Sequence, residues 1–334
     1  MIRLEKYFEK YGSFFYSYLD DFVKTTLIGK DDQLLEIFRY HLELSDDSPG
    51  QSKRIRPMLL LICAEGSGAD WMTAVPAAVA VELIHNFSLI HDDIEDKGHK
   101  RRGKEAVWVK WGLPLALNAG DAMYTIAYGA LSNLVGLVNE KIFISALELF
   151  ISTCLKLTEG QHLDISFEKM DIISKDDYYR MISGKTAALF ACCTQLGALI
   201  GGKQEESIKF KNFGESLGIT FQIHDDWLGV WGEPEVTGKS TSSDLVEGKK
   251  SLPVMLGLIE SNNFSKRWKE GKIKKSEAKD LAKLLKEDGV ELLVWQEYDK
   301  WKNKMLNELD ELDCADPEKS ALYELIEHLT NRKK

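Results

Sequence analysis

The segment VELIHNFSLIHDDIEDKGHKRRG, residues 81–103, holds the densest set of chemically capable side chains in the chain. On a helix turning about 100° per residue, His85, Ser88, Asp92 and Asp96 fall on one stripe, with Asp93 beside them. Leu83, Ile84, Phe87, Ile90 and Ile94 take the other sides, so the helix is mostly buried and its carboxylates are expected to face a cavity. Three carboxylates within two turns repel one another and raise each other's pKa unless a cation intervenes. Oxygen ligands on a rigid helix, with room for water and phosphate oxygens, suit Mg²⁺ better than Zn²⁺ or a calcium cage. Arg101 and Arg102 follow in a glycine-flanked turn, and arginine forks match phosphate oxygens. The competing reading is a solvated acidic helix end beside a plain surface pair. The helix dipole, which disfavours acids near a C-terminus, weighs against it.

FQIHDDWLGVWGEPEVTGKSTSSDLVEGKKSLP, residues 221–253, repeats this logic. Gln222, Asp225, Asp226 and Gly229 lie on one helical stripe, and Lys239, Lys249 and Lys250 follow in a glycine-containing loop. A solvated loop accounts for any one of these lysines. Two Asp-Asp pairs on separate helices, each followed by phosphate-type cations, would let two helices face each other across metals bridging a diphosphate. Three further pieces fit. QSKRIRP supplies Lys53, Arg54 and Arg56 ahead of Pro57. SGKTAALF places Lys185 and Thr186 inside an apolar helix, where an unpaired ammonium is costly. EGQHLD sets Gln161 and Asp164 about a turn apart. Taken singly, each is more often packing or surface than function.

The elements that must position these groups are helical. Apolar residues recur every three or four positions, only seven prolines occur, and strict alternation is scarce. Helices are predicted over 58–64, 76–97, 114–135, 141–168, 175–200 and 205–230, and again over 252–259, 275–286, 291–309 and 319–329 in a Lys- and Glu-rich C-terminal third. Breaks fall at 45–51, 67–70, 98–103, 201–204 and 233–248, where Gly, Pro, Ser and Asp cluster. Neither a domain-separating linker nor an internal repeat is visible. The prediction is one all-α domain over residues 1–334, with a motif-bearing core at about 51–253 and C-terminal helices over 254–334.

Composition excludes several classes. The 334 residues are 44% apolar and 29% charged, enough for a large core and unlike a disordered or collagen-like chain. With 43 Lys and Arg against 53 Asp and Glu, the net charge of −10 argues against a nucleic-acid partner. Five cysteines without C-x-x-C spacing read as reduced thiols. The N-terminal MIRLEKYFEKYG has no signal-like apolar run, and the longest weakly polar stretch, 187–202, is too short to span a bilayer comfortably. A cytoplasmic location without an integral membrane segment is expected.

In combination these motifs resemble the trans-isoprenyl diphosphate synthase (polyprenyl synthetase) family, from about Gln51 to Pro253. DDxxD followed by RRG matches Asp92, Asp93, Asp96, Arg101, Arg102 and Gly103. The second Asp-rich region matches Gln222, Asp225 and Asp226, followed by TGK at Lys239 and EGKKSLP at Lys249. KRxRP, GQxxD and GKT match at Lys53, at Gln161 with Asp164, and at Lys185 with Thr186. The resemblance implies a bundle of long antiparallel helices around a deep central cavity, and a homodimer. It implies that Asp92, Asp96 and Asp225 bind Mg²⁺ directly, Asp93 and Asp226 assisting, with about three ions per active site. Arg101, Lys185, Thr186, Gln222, Lys239 and Lys249 would hold an allylic diphosphate, and Lys53, Arg56, His85 and Arg102 isopentenyl diphosphate. Among these, Asp92, Asp96, Arg101, Lys185, Asp225 and Lys239 would be catalytic. In two places the chain departs from the pattern. The usual third acid of the second motif is Gly229, and the paired glycines before Lys53 are Gln51 and Ser52.

The implied reaction ionises an allylic diphosphate, adds isopentenyl diphosphate and loses a proton to the released diphosphate, with no protein nucleophile or general base. By the same resemblance, bulk at Phe87 and Ser88, five and four residues before the first Asp, limits product length. One aromatic and one small residue there resemble short-chain enzymes making geranylgeranyl diphosphate, with farnesyl diphosphate as the competitor. A class I terpene cyclase would replace the second acid motif and have no need of Lys53 and Arg56. A non-catalytic partner subunit would lose the first acids.

Overall fold

A computed structural model describes residues 2–29, 32–44, 54–232 and 242–330. Its described residues are helical almost throughout, which bears out the all-α expectation. They form two compact units: residues 1–150, 193–207 and 313–324 in the first, and 151–192, 208–312 and 325–334 in the second.

The first unit begins with α1 (Ile2–Leu27) and α2 (Asp32–His41), and continues with α3 (Ile55–Gly66) and α4 (Trp71–Glu95). Asp70 caps α4, its side chain accepting from the Met72 N–H at 3.0 Å. Ala74, Ala77, Ala78 and Ala80 make much of this helix narrow, and α6 (Leu113–Ser132) answers with Ala116, Ala119, Ala127 and Ala130, all fully buried. Small residues on both partners let the two backbones approach closely. At Gly120 any Cβ would run into the His91 ring. By length and composition α4 could cross a membrane, contrary to the expectation that 187–202 is the longest weakly polar stretch; 72% of its most apolar window is buried inside the protein, as in a core helix.

Between α4 and α5 (Val107–Trp111) lies a short element the helical period does not foresee. Lys100–Arg101 (β1) and Lys104–Glu105 (β2) pair antiparallel, Lys100 opposite Glu105 and Arg101 opposite Lys104. Arg102 (φ 51°) and Gly103 (φ 77°) form its two-residue turn. Two consecutive positive φ values identify the tight hairpin whose twist matches its strands.

The second unit packs its share of α7 (Glu140–Glu168) with α8 (Lys175–Ile182) and α10 (Ser207–Trp231) around Phe167, Tyr178, Ile223, Trp227 and Met255. Ser174 and Asp177 cap α8 reciprocally. One long helix is expected over 175–200, but residues Ser183–Ala187 wind as a π-helical turn before α9 (Ala188–Ile200). The turn lies at a close backbone crossing that glycine permits. A Cβ on Gly184 would lie 2.7 Å from the Lys156 carbonyl oxygen and 2.8 Å from the Gly160 Cα, so α7 crosses this turn at backbone contact. Further on come α11 (Ser243–Glu247), α12 (Leu252–Glu260), α13 (Asn262–Lys269), α14 (Lys275–Glu287), α15 (Val290–Asp310) and α16 (Asp316–Thr330).

Candidate active site

In the first unit, α4 carries the acid motif on its last turns. Asp93 is the buried acid; Asp92 is half-buried and Asp96, which ends the helix, is exposed. Only Asp93 thus meets the expectation of carboxylates shielded from water. Its partner is Arg101, whose Nη2 donates to Oδ1 at 2.6 Å while Nε lies 3.2 Å from both oxygens. The hairpin explains this reach: β1 turns Arg101 back onto α4, and the turn itself aims Arg102 elsewhere. Arg102 Nη1 donates to the His41 carbonyl oxygen at 3.1 Å and Nη2 to Asn86 Oδ1 at 3.3 Å, and Nη1 stands 3.6 Å from Glu43.

Arg56 Nη1 lies 3.2 Å from His85 Nε2. Burial, followed by the charges of Arg56, Arg102, Arg54 and Arg101, holds the His85 pKa well below its ordinary value. The ring is therefore neutral at pH 7, and because arginine only donates, Nε2 accepts and Nδ1 carries the proton. The same causes, burial first and Arg102 next, lower His41 to about 3. Two neutral histidines among four arginines mark a region poised for anions. Arg54, also buried, is spent on structure: it pairs with Glu82 and donates to the Leu42 carbonyl. Its backbone is left-handed (φ 44°) immediately before α3.

Phe87 is half-buried and heads an aromatic ladder. Its ring centroid is 5.0 Å from that of Tyr124, Tyr124 is 5.5 Å from Tyr128, and Tyr128 is 5.2 Å from Phe150. The two tyrosine hydroxyls are 3.1 Å apart. Ser88 lies one residue on, its hydroxyl donating to the His85 carbonyl at 2.8 Å.

In the second unit one hydrogen-bond chain joins three separate motifs. Thr186 Oγ1 donates to Gln222 Oε1 at 2.6 Å, and Gln222 Nε2 donates to Asp226 Oδ1 at 2.7 Å. Asp226 Oδ2 accepts from the Tyr178 hydroxyl and the Leu252 N–H, both at 2.8 Å. Burial still raises Asp226 to about 6 against the pull of these donors. Lys185, displayed by the π turn, reaches Asp164 on α7 at 2.5 Å. The Gly160–Gly184 contact is what brings those two helices close enough. Asp225 is exposed on α10. Lys249 is half-buried, 3.3 Å from Glu247, while Lys250 sits over the Trp268 ring at 4.9 Å. Among the described residues no three His, Cys, Asp or Glu side chains form a ready metal cluster. Mg²⁺ does not require one, since it is commonly held by one or two carboxylates with substrate phosphate oxygens and water completing its shell. The donor set present is of that kind.

A family model described as polyprenyl synthetase matches residues 35–287. The geranylgeranyl diphosphate synthase of Methanosarcina mazei is 35% identical over 312 residues, 91% of each chain. A (2E,6E)-farnesyl diphosphate synthase of Mycobacterium tuberculosis is 38% identical over 243 residues, 71% of this chain and 67% of that one. The crystal structure of geranylgeranyl pyrophosphate synthetase from Pyrococcus horikoshii superposes with a TM-score of 0.87 at 31% identity, covering 99% of this chain and 98% of the other.

The chain belongs to the polyprenyl synthetase family.

Within this polyprenyl synthetase, the predicted residues sort by their surroundings. Arg56 and His85 meet, as do Thr186, Gln222 and Asp226. Asp93 and Asp226 are buried against protein donors, and Asp92, Asp96 and Asp225 are the more exposed acids. Lys53 and Lys239 lie outside the described residues. Sequence reasoning passed over Glu82, His41, Glu43 and Tyr178, which hold the site's arginines and Asp226. Local spacing carries no sign of them, because each acts on a partner at least 28 residues away, as Glu82 does on Arg54.

Proposed function

We propose that this polyprenyl synthetase condenses isopentenyl diphosphate with the allylic dimethylallyl, geranyl and farnesyl diphosphates, that geranylgeranyl diphosphate is its main product, and that the reaction depends on Mg²⁺. The observation that carries this reading is the pairing, within each unit, of acids with phosphate-type cations: Asp93 with Arg101, and Asp164 with Lys185. In these pairs the carboxylate holds the cation ready, and an arriving diphosphate supplies a second anion for it.

The roles follow from chemistry. Asp92, Asp96 and Asp225 hold Mg²⁺, and Asp93 and Asp226 orient their neighbours. Bound Mg²⁺ supplies positive charge to the departing diphosphate. Arg101, Lys185, Lys239 and Lys249 stabilise the same charge as it develops, and Thr186 and Gln222 fix its approach. Arg56, Arg102, Lys53 and neutral His85 receive isopentenyl diphosphate, His85 by donating from Nδ1. Apolar walls keep water from the allylic cation. Phe87, backed by Tyr124, stops the growing tail.

A farnesyl product is the second reading, favoured by the mycobacterial relative of that name. The enzyme is further proposed to be a cytoplasmic homodimer: no disulfide joins the five cysteines, and Ile144, Ile151 and Leu155 form an exposed apolar stripe along α7. The deciding experiment supplies purified protein with Mg²⁺, labelled isopentenyl diphosphate and each allylic primer in turn, and sizes the products. Geranylgeranyl diphosphate is expected; hydrocarbon formed from a primer alone, or no elongation at all, overturns the reading.

A further inference from the structure

Position 229 stands one helical turn beyond Asp225 on α10 and carries no side chain. The space beside it is not empty. A Cβ built on Gly229 would overlap the Asp244 carboxylate, with Oδ1 2.7 Å away. Asp244 arrives there from α11, fifteen residues later in the chain, and is 8% exposed.

Its placement is held from both sides. Ser242, in the left-handed region at φ 60°, donates its hydroxyl to the Val230 carbonyl at 2.9 Å, which ties the start of α11 to the residue after Gly229. Leu245 is fully buried in the core. The Gly248 and Lys249 N–H groups both donate to the Asp244 carbonyl at 3.0 Å, and Gly248 closes α11 at φ 79°. Side chains one turn apart on a helix have Cβ atoms about 5–6 Å apart. The Asp244 carboxylate thus occupies the place, relative to Asp225, from which a side chain at 229 would start.

We infer that Asp244 supplies the carboxylate that position 229 lacks, so that Asp225 and Asp244 together form the metal-binding acids of the second motif. The inference rests on the proposed Mg²⁺-dependent function. Gly229 and Asp244 are then a reciprocal pair: the missing Cβ makes room for the carboxylate delivered from α11, and a side chain at 229 would expel it.

The test titrates Mn²⁺, a hard oxygen-seeking stand-in for Mg²⁺, into the full chain with methylenediphosphonate present, and reads free Mn²⁺ by electron paramagnetic resonance. Asp244→Asn, near-isosteric, is expected to weaken Mn²⁺ binding by roughly tenfold or more, the usual scale for perturbing a metal site's supporting shell. Gly229→Ala is expected to do the same through displacement of the carboxylate. Exchanging the two residues, in Gly229→Asp with Asp244→Gly, is expected to restore most of the affinity. Thermal melts accompany each variant; should Asp244→Asn not fold, Gly229→Ala and the exchange carry the test. Parent-like Mn²⁺ binding by Asp244→Asn or by Gly229→Ala overturns the inference. Asp225→Asn separates the two levels. If it loses affinity while Asp244→Asn does not, only this inference fails; if neither does, the proposed metal role of the second motif fails with it.

Discussion

His41 is buried among arginines, and its pKa falls to about 3, with burial the larger cause and Arg102 the next. Its folded-state value lies below the unfolded one, so the unfolded chain binds the extra proton between about pH 3 and 6.5. Stability is therefore complete above pH 6.5 and declines as pH falls through that window. The shift corresponds to about 4–5 kcal/mol at most by linkage. Urea unfolding of the parent and of His41→Gln, compared from pH 7 to pH 4, checks this: the parent is expected to lose stability more steeply, and parallel profiles would refute it. Phe87 offers a second residue-scale prediction. Phe87→Ala is expected to lengthen the product by at least one five-carbon unit, because the ladder then begins at Tyr124; unchanged chain length on chromatography would remove Phe87 as the stop. Phe87's importance could be suspected from its distance to Asp92 in the sequence. That Tyr124, Tyr128 and Phe150 continue it could not, since they lie on other helices and only packing brings them into line.

Helices were the most legible part of the chain. Predicted spans such as 141–168 and 252–259 fall within a residue of α7 (140–168) and α12 (252–260), because long amphipathic periods bounded by Gly, Pro and Ser leave little choice. The hairpin, the π turn and helices α1, α2, α5, α11 and α13 escaped the pattern. The Arg102–Gly103 hairpin is too short for alternation to register, and the π turn differs from an α-helix only through what crosses it. Helix α1 has its core residues Tyr11, Phe15, Leu19 and Val23 at regular spacing, yet the frequent charges between them masked the stripe. The π turn yields a prediction at this scale. Gly184→Ala must push α7 away from Lys185, at about 1–3 kcal/mol for overpacking. A lowered melting temperature should come with a raised KM for the allylic diphosphate, as the Lys185–Asp164 contact loosens. A variant with parent stability and KM would show that the crossing has slack.

For the molecule as a whole, the proposed homodimer depends on Ile144, Ile151 and Leu155, which face outward on α7. Replacing all three by Asp is expected to halve the mass seen by light scattering and to leave helical content intact; a parent-sized particle would locate the dimer contact elsewhere. The family assignment fits a sequence whose two acid motifs are readable from type and spacing alone, whereas nothing in the sequence marks Asp244, because its meaning lies in the gap at Gly229. The cysteines have a practical consequence. Cys63, Cys154, Cys192 and Cys193 are buried, and burial pushes Cys192 and the half-covered Cys314 up to about 12. Thiolate is the form that air and alkylating reagents attack, and at neutral pH these two sulfurs hold almost none of it. The folded enzyme should therefore keep on the bench in aerated buffer without added reductant, and take up iodoacetamide only once it has been denatured.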